Sequence, residues 1–376
     1  MAALPNDLNP VPPRPLTPPL EMRPPVDTDA MMQFAFRVVG DLGAAISGPL
    51  LYIGDRMGLF KALAHGNRRT SAQLAAEMGL QERYVREWSA AMVAADYLAY
   101  DPATGEYWMA PERAMVLAQE DSPVFCGGMM QMIPDHYAVL PQVARAFREG
   151  GGVGYAEYGP DTLEGTERLF RPGYLNYLAQ EWIPTMPEVE RRLKAGGTVA
   201  DVGCGRGQAL AALARAFPAS RFWGFDNFAP NIAYAKQMAR REQLNERLHF
   251  EERPSDALPQ NRDFDLIMTC DSLHDMASPE ACARSIAGAL APGGTWFCIE
   301  PRLSDRLEEN INPVGRLFYA VSTLQCMPCS LATGGAGYGA GMGVGNIRRA
   351  AAEAGLSSFT KLPIDNPFNQ FFAIRA

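Results

Sequence analysis

The chain has 376 residues and a mass of 41.0 kDa, enough for two domains with a full hydrophobic core. Hydrophobic residues make up 47% and charged residues 20%, the proportions of a globular protein, and no uninterrupted apolar run reaches the length a membrane span needs. A formal net charge of -8 opposes general affinity for nucleic acid, whose phosphates are met by clustered Lys and Arg, and seven cysteines are an odd number for a disulfide framework.

Residues 1–27 carry nine prolines with little apolar periodicity and are expected to form a disordered leader. No basic segment followed by an apolar core marks them as a signal peptide, and the odd number of cysteines, five of them at expected core or ligand-loop positions, makes a reducing cytoplasm the expected setting. A helical and winged-helix dimerisation domain is expected over 28–120. Within it, Leu42, Ile46, Leu50, Ile53 and Leu59 are spaced for one helix face, which pairs between subunits or covers its own domain. Thr70 or Ser71 can cap a short helix that stops at Gly79, a second helix runs from about Glu82 to Ala95, and residues 97–109 make a hairpin. Between Lys61 and Arg113 there are six basic residues against seven acidic ones. A DNA-reading second helix would be basic, so the module is expected to serve association between subunits.

Residues 121–195 form a helical linker with an unusual density of aromatics. Tyr155, Tyr174 and Trp182 are the candidates here for the apolar wall of a substrate pocket. Glu181, beside Trp182, is a candidate base that would suit proton removal from carbon or stabilise a transient cation.

From residue 196 onward, strands and helices alternate, the pattern of a parallel sheet covered on both faces. The segment Gly197-Thr-Val-Ala-Asp-Val-Gly-Cys-Gly-Arg-Gly207 reads as a buried strand, a glycine turn and the start of a helix. Gly203, Gly205 and Gly207 allow positive φ and a close approach of bare backbone to a ligand. Asp201 inside the motif disfavours a pyrophosphate and suits a cationic or hydrogen-bond-donating group. Nineteen residues after Gly207, Asp226 ends a second strand, where a carboxylate can accept both hydroxyls of a ribose. Asp256 and Asp271 also fall at strand ends, and Asn227, Ala257 and Cys270 adjoin these acids in the candidate cofactor-binding set.

These motifs resemble the cofactor site of class I S-adenosylmethionine-dependent methyltransferases. The implied fold is α/β, a Rossmann-like seven-stranded methyltransferase domain over 196–376, preceded by a mainly helical winged-helix domain. The implied cofactor is S-adenosylmethionine, converted to S-adenosylhomocysteine. The stretch Cys270-Asp-Ser-Leu-His-Asp-Met276 resembles the His-Asp element of small-molecule O-methyltransferases. That resemblance makes His274 the candidate general base and Asp275 the residue that orients it, although the family's usual continuation, Trp followed by acids, is absent here. With the winged helix and the Cys326-Met327-Pro328 segment, the chain resembles a bacterial branch that includes carbon methyltransferases acting on keto acids and prenyl diphosphates. Some relatives place before Cys-Met-Pro a histidine that helps hold iron; Gln325 stands there in this chain, so no metal ligand is assigned and Gln325 is grouped with the substrate residues. Cys326 and Cys329 have redox spacing but follow no suitable βα unit. Residues 333–345 include seven glycines and are expected to form a lid within a 301–345 insertion.

The expected function is methyl transfer to an oxygen or carbon of a small metabolite by a homodimer, with no nucleic acid or membrane partner. A ligand-responsive winged-helix regulator and a catalytically silent partner subunit are the competing readings.

Overall fold

The computed structural model describes residues 25–260 and 263–376. The expected leader lies outside this range except for residues 25–27, which run into the first helix.

Asp27 accepts hydrogen bonds from the amides of Asp29 and Ala30 and so caps helix α1 (Thr28–Arg56). After Gly58, at φ 72°, come α2 (Leu59–Leu63) and strand β1 (Arg69–Thr70). Thr70 and Gln73 form a reciprocal capping box on α3 (Ser71–Met78), which ends at Gly79 with φ 66°. Helix α4 (Glu82–Ala94), strands β2 (Ala99–Asp101) and β3 (Glu106–Trp108), and α5 (Pro111–Leu117) complete the unit. The strands pair in the order β1-β3-β2, the wing of a winged helix. Leu59, Leu63, Leu74, Val85, Trp88 and Met92 fill its core, and the Trp88 indole donates to the Leu50 carbonyl at 2.9 Å, fastening α1 to α4.

Only the C-terminal half of the predicted α1 face is covered within the chain. Leu42 and Ile46 are 59% and 78% exposed, whereas Leu50 and Ile53 pack on the winged-helix core. Phe34, Phe36 and Val39 extend the bare surface. Among the described residues, α1 is the one helix long and apolar enough to cross a membrane by length and composition, a property the run-length reading of the sequence did not register.

The linker is helical: α6 (Gly127–Ala138), α7 (Leu140–Glu149), α8 (Pro160–Gly173), a π-helical stretch over Tyr174–Trp182, and α9 (Pro187–Lys194). Arg168 of α8 pins the linker to the N-terminal unit. Its guanidinium donates to both oxygens of Asp55 on α1 at 2.7 and 2.9 Å, and also to Glu120 and to Gln131 of α6. Both side chains of the Arg168–Asp55 pair are nearly buried, so deleting Arg168 would leave the Asp55 carboxylate buried without its cation.

The C-terminal domain contains β4 (Thr198–Val202), α10 (Gln208–Ala216), β5 (Arg221–Asp226), α11 (Ala229–Arg241), β6 (Leu248–Glu252), β7 (Phe264–Cys270), α12 (Pro279–Ala289) and β8 (Leu290–Pro301). Then follow α13 (Pro313–Val321), a π-helical turn over Ser322–Cys326, α14 (Met327–Ala332), α15 (Gly343–Glu353), β9 (Ser358–Lys361) and β10 (Asn369–Arg375). The seven strands lie in the order β6-β5-β4-β7-β8-β10-β9, with β10 antiparallel to both its neighbours. Alternate residues feed opposite faces. Val199, Phe222, Leu266, Phe297 and Phe371 pack on one side, and Ala200, Phe225, Ile267, Trp296 and Phe372 on the other. This double burial explains the near-continuous apolar runs of the sequence. Strand order reverses between β4 and β7, so a crevice opens at their carboxyl ends, where ligands bind in open α/β sheets.

The glycine-rich run is not an unsupported loop. The Gly335 amide donates to Ser330 O, Ala336 to Ala277 O and Ala340 to Ser322 Oγ, and a Cβ on Gly339 would lie 2.2 Å from Ser322 Oγ. Several of the glycines therefore permit close packing, which spacing alone could not distinguish from loop freedom.

Candidate active site

The turn after β4 takes the form its glycines require. Gly203, Gly205 and Gly207 have φ of 74°, 52° and 81°, and a Cβ on Gly203 would fall 2.6 Å from the Ser272 side chain. Gly203 and Cys204 both donate to Phe225 O, which folds the turn back over the end of β5. Asp226, at that end, accepts from the amides of Gly205 at 2.8 Å and Phe228 at 2.9 Å and bonds the Asn231 side chain. Asn227 follows it, exposed.

Asp201 is 2% exposed, and its Oδ1 has no hydrogen-bond partner within the protein. Burial, reinforced by the nearby Asp226 charge, raises its carboxyl pKa to about 7. A buried carboxylate oxygen without a donor is costly, so this position is built for a donor or cation from outside the chain. Asp271 occupies a left-handed conformation at φ 49°, where a non-glycine residue is strained. Asn369 holds it there, its Nδ2 donating to both carboxylate oxygens at 2.7 and 2.8 Å. Burial and the Glu300 charge raise the Asp271 pKa to about 8. Cys270 is buried beside it. Asp256 and Ala257 lie exposed on the loop after β6, so the four acids do not share one enclosed edge.

On the other side of the crevice His274 is buried between two carboxylates. Its Nδ1 lies 2.6 Å from Glu300 Oε2, and its Nε2 lies 3.3 Å from Asp275 Oδ1. The second oxygen of Glu300 accepts from the Leu273 amide at 3.0 Å. Burial alone would lower the imidazole pKa, but Asp275 and Glu300 outweigh it and hold the ring well above its ordinary value. Glu300, absent from the sequence-derived set, faces His274 Nδ1, whereas Asp275 faces the opposite nitrogen. Asp275 carries the free acceptor, since its buried Oδ1 makes no hydrogen bond, and burial raises its pKa. Cys326 Sγ completes a group with His274 and Asp275 whose ligand atoms lie within 4.8 Å of one another, a set of donors that could hold one divalent ion. Burial raises the Cys326 thiol pKa to about 11. All seven cysteines are free.

The aromatic candidates separate. Tyr155 stands between the two sides: its hydroxyl bonds the Asn231 side chain, its pKa is raised by burial and then by Asp226 and Asp275, and its ring meets Phe228 edge-on at 5.1 Å. Tyr174, grouped from sequence with the substrate residues, turns its hydroxyl to the Cys270 thiol near Asp271 and Asp201, among the donor-side groups. Trp182 is a core residue. It is 6% exposed and packs on Phe371 at 4.8 Å, because the π-helical stretch turns it inward against the sheet. The same stretch leaves Glu181 exposed, which removes it as a base. Gln325 is buried, with its Oε1 2.7 Å from His136 Nε2, and Tyr158 donates to Leu324 O beside it. The π-helical turn thus aims Gln325 at α6 and Cys326 at His274. His136 had no sequence signal, while Glu300 had one, as an acid ending an otherwise apolar strand.

Comparison with known proteins matches two parts of the chain. Residues 45–119 match the family model described as Rv2258c-like winged HTH domain, and residues 193–334 match one described as Methyltransferase domain. The mitomycin 7-O-methyltransferase is 19% identical with a TM-score of 0.69, covering 93% of this chain and 100% of that one. An O-methyltransferase family protein from Burkholderia thailandensis is 17% identical with a TM-score of 0.62, covering 94% and 99%. Human N-acetylserotonin methyltransferase, solved with S-adenosylmethionine, is 18% identical with a TM-score of 0.61, covering 91% and 97%. At such identities the likeness is one of fold. A curated relative, an uncharacterized protein from Synechococcus, is 30% identical over 97 residues, which span 26% of this chain and 23% of that protein.

Proposed function

We propose that this chain, which joins a winged-helix domain to a methyltransferase domain of the class I fold, is an enzyme that methylates an oxygen or carbon of a small metabolite, with S-adenosylmethionine as donor. The observation that carries the donor assignment is the orphaned Asp201 oxygen beneath a turn of three positive-φ glycines, with Asp226 at the neighbouring strand end. Bound S-adenosylmethionine supplies an electrophilic methyl on a sulfonium. Asp201 and Asp271 are suited to its cationic portion, Asp226 to its ribose hydroxyls, and the loop bearing Asp256 and Ala257 to its base. Calorimetry with S-adenosylhomocysteine on cofactor-stripped protein tests the assignment, and absence of uptake overturns it.

At the acceptor side the chain must align a nucleophile, exclude water and take a proton. Asp275 Oδ1 is the free acceptor for that proton, with His274 Nε2 beside it at 3.3 Å. Tyr155, Gln325 and His136 supply the polar wall. The name of the mitomycin enzyme supports a small-molecule acceptor in specialised metabolism, and that of the N-acetylserotonin enzyme a small-molecule acceptor. Carbon methylation through Glu181 loses its support, since that side chain faces solvent.

We assign the bare half of α1 to a second copy of this chain. Its exposed Phe34, Phe36, Val39, Leu42 and Ile46 suit an isologous helix pair, and the seven free thiols suit a reducing cytoplasm. The regulator reading predicts a mobility shift of duplex DNA at moderate salt; the acidic balance of the winged helix predicts none.

A further inference from the structure

The glycine turn is held by a side chain from outside its own domain. Glu167, on α8, is 10% exposed, and its carboxylate accepts three hydrogen bonds. Arg206 Nη1 donates at 3.0 Å, Gln208 Nε2 at 2.6 Å and Tyr234 OH at 3.2 Å. Arg206 and Gln208 flank Gly207, and Tyr234 lies on α11, the helix after β5. The Arg206 guanidinium sits 4.3 Å from the centroid of the Tyr234 ring. One carboxylate therefore gathers the turn, the first residue of α10 and a residue of α11, three of the elements that surround the donor crevice. Glycine-rich backbone loses more freedom on ordering than any other, so such a turn needs anchors to hold one shape. The anchor is itself fixed, because the next residue, Arg168, is tied to Asp55 and Glu120.

We propose that Glu167 is a positioning residue for the donor site, setting the glycine turn in its ligand-ready shape through Arg206 and Gln208. The linker segment then governs donor affinity as well as the acceptor wall. This inference rests on the S-adenosylmethionine reading above.

The test compares full-length wild type with Glu167→Gln, which keeps the shape and removes the charge, and with Glu167→Asp, which keeps the charge and shortens the reach. Calorimetry with S-adenosylhomocysteine should show the dissociation constant rising about tenfold or more in Glu167→Gln, the loss expected for hydrogen bonds to a charged group, and by less in Glu167→Asp. Amide exchange in the ligand-free protein should quicken at residues 203–210 ahead of the sheet strands, which a general loss of stability would not produce. Combining Glu167→Gln with Arg206→Met should cost less than the sum of the two single changes, because they share the Arg206 contact, with the remainder carried by Gln208 and Tyr234. Unchanged affinity in both Glu167 variants, with wild type binding normally, overturns the positioning role. A wild type that takes up no S-adenosylhomocysteine overturns the donor reading instead.

Discussion

The donor and acceptor sides of the crevice face each other across the ends of β4 and β7, yet they are built in different ways. The donor side draws Asp201, the three glycines and Asp226 from one strand-turn-helix-strand unit, with Asp271 added from the next strand inward. The acceptor side is assembled from α6, the 155–158 segment, the turn after β7, the end of β8 and the π-helical turn at 322–326. One of its hydrogen bonds, His136 to Gln325, joins residues 189 positions apart. A donor site made of local backbone geometry can be kept while the acceptor wall changes, since nothing in the glycine turn depends on what fills positions 136 or 325.

The sharpest way to break this comparison is at Asp275, the proposed proton acceptor. Replacement by Asn should lower single-turnover methyl transfer to an accepted acceptor by about 10²–10⁴-fold, the range for loss of an acid–base group, while S-adenosylhomocysteine binding stays intact. Loss of both would mean that the two sides are not separable. Trp182→Ala should cost about 3–5 kcal/mol of stability as a cavity in the core, measured by denaturant unfolding, with donor affinity preserved in the folded fraction. Asp201→Asn should weaken S-adenosylhomocysteine by about 10–100-fold.

The pH dependence comes next. The Asp201 and Asp271 pKa values, raised in the folded protein to about 7 and about 8, mean that the folded state binds more protons than the unfolded one in the window between the ordinary carboxylate range and those values. The stability of cofactor-free protein should therefore be greatest at the acid end of this window and fall as pH rises through about 7 and 8, seen as a falling melting temperature; saturating S-adenosylhomocysteine should flatten the slope, and its affinity should rise as Asp201 ionises. The smallest effect is expected at Glu181→Ala, which should leave stability within about 0.5 kcal/mol and transfer rates unchanged.

What could be read from sequence follows the same division. The cap at Thr70, the stop at Gly79 and the glycine turn are local signals, legible because a few neighbouring residues decide the backbone. The alternation of strands and helices was legible too, as the mark of a parallel sheet covered on both faces. The exposure of Glu181 and the burial of Trp182 were not, because a π-helical stretch shifts the phase on which helical spacing depends. His136 was hidden by distance along the chain, and Glu300 was visible as an acid ending an apolar strand but not as the partner of His274, 26 residues before it.

The π-helical turn at Ser322–Cys326 has a consequence for evolution and engineering. It amounts to an α-helix carrying one residue too many, so deleting a single residue there would restore regular pairing and should make the helix tougher. The same deletion would swing Cys326 off the imidazole and Gln325 off α6. Screens that select for heat resistance alone would tend to recover that shortened chain, and would discard the acceptor wall in doing so.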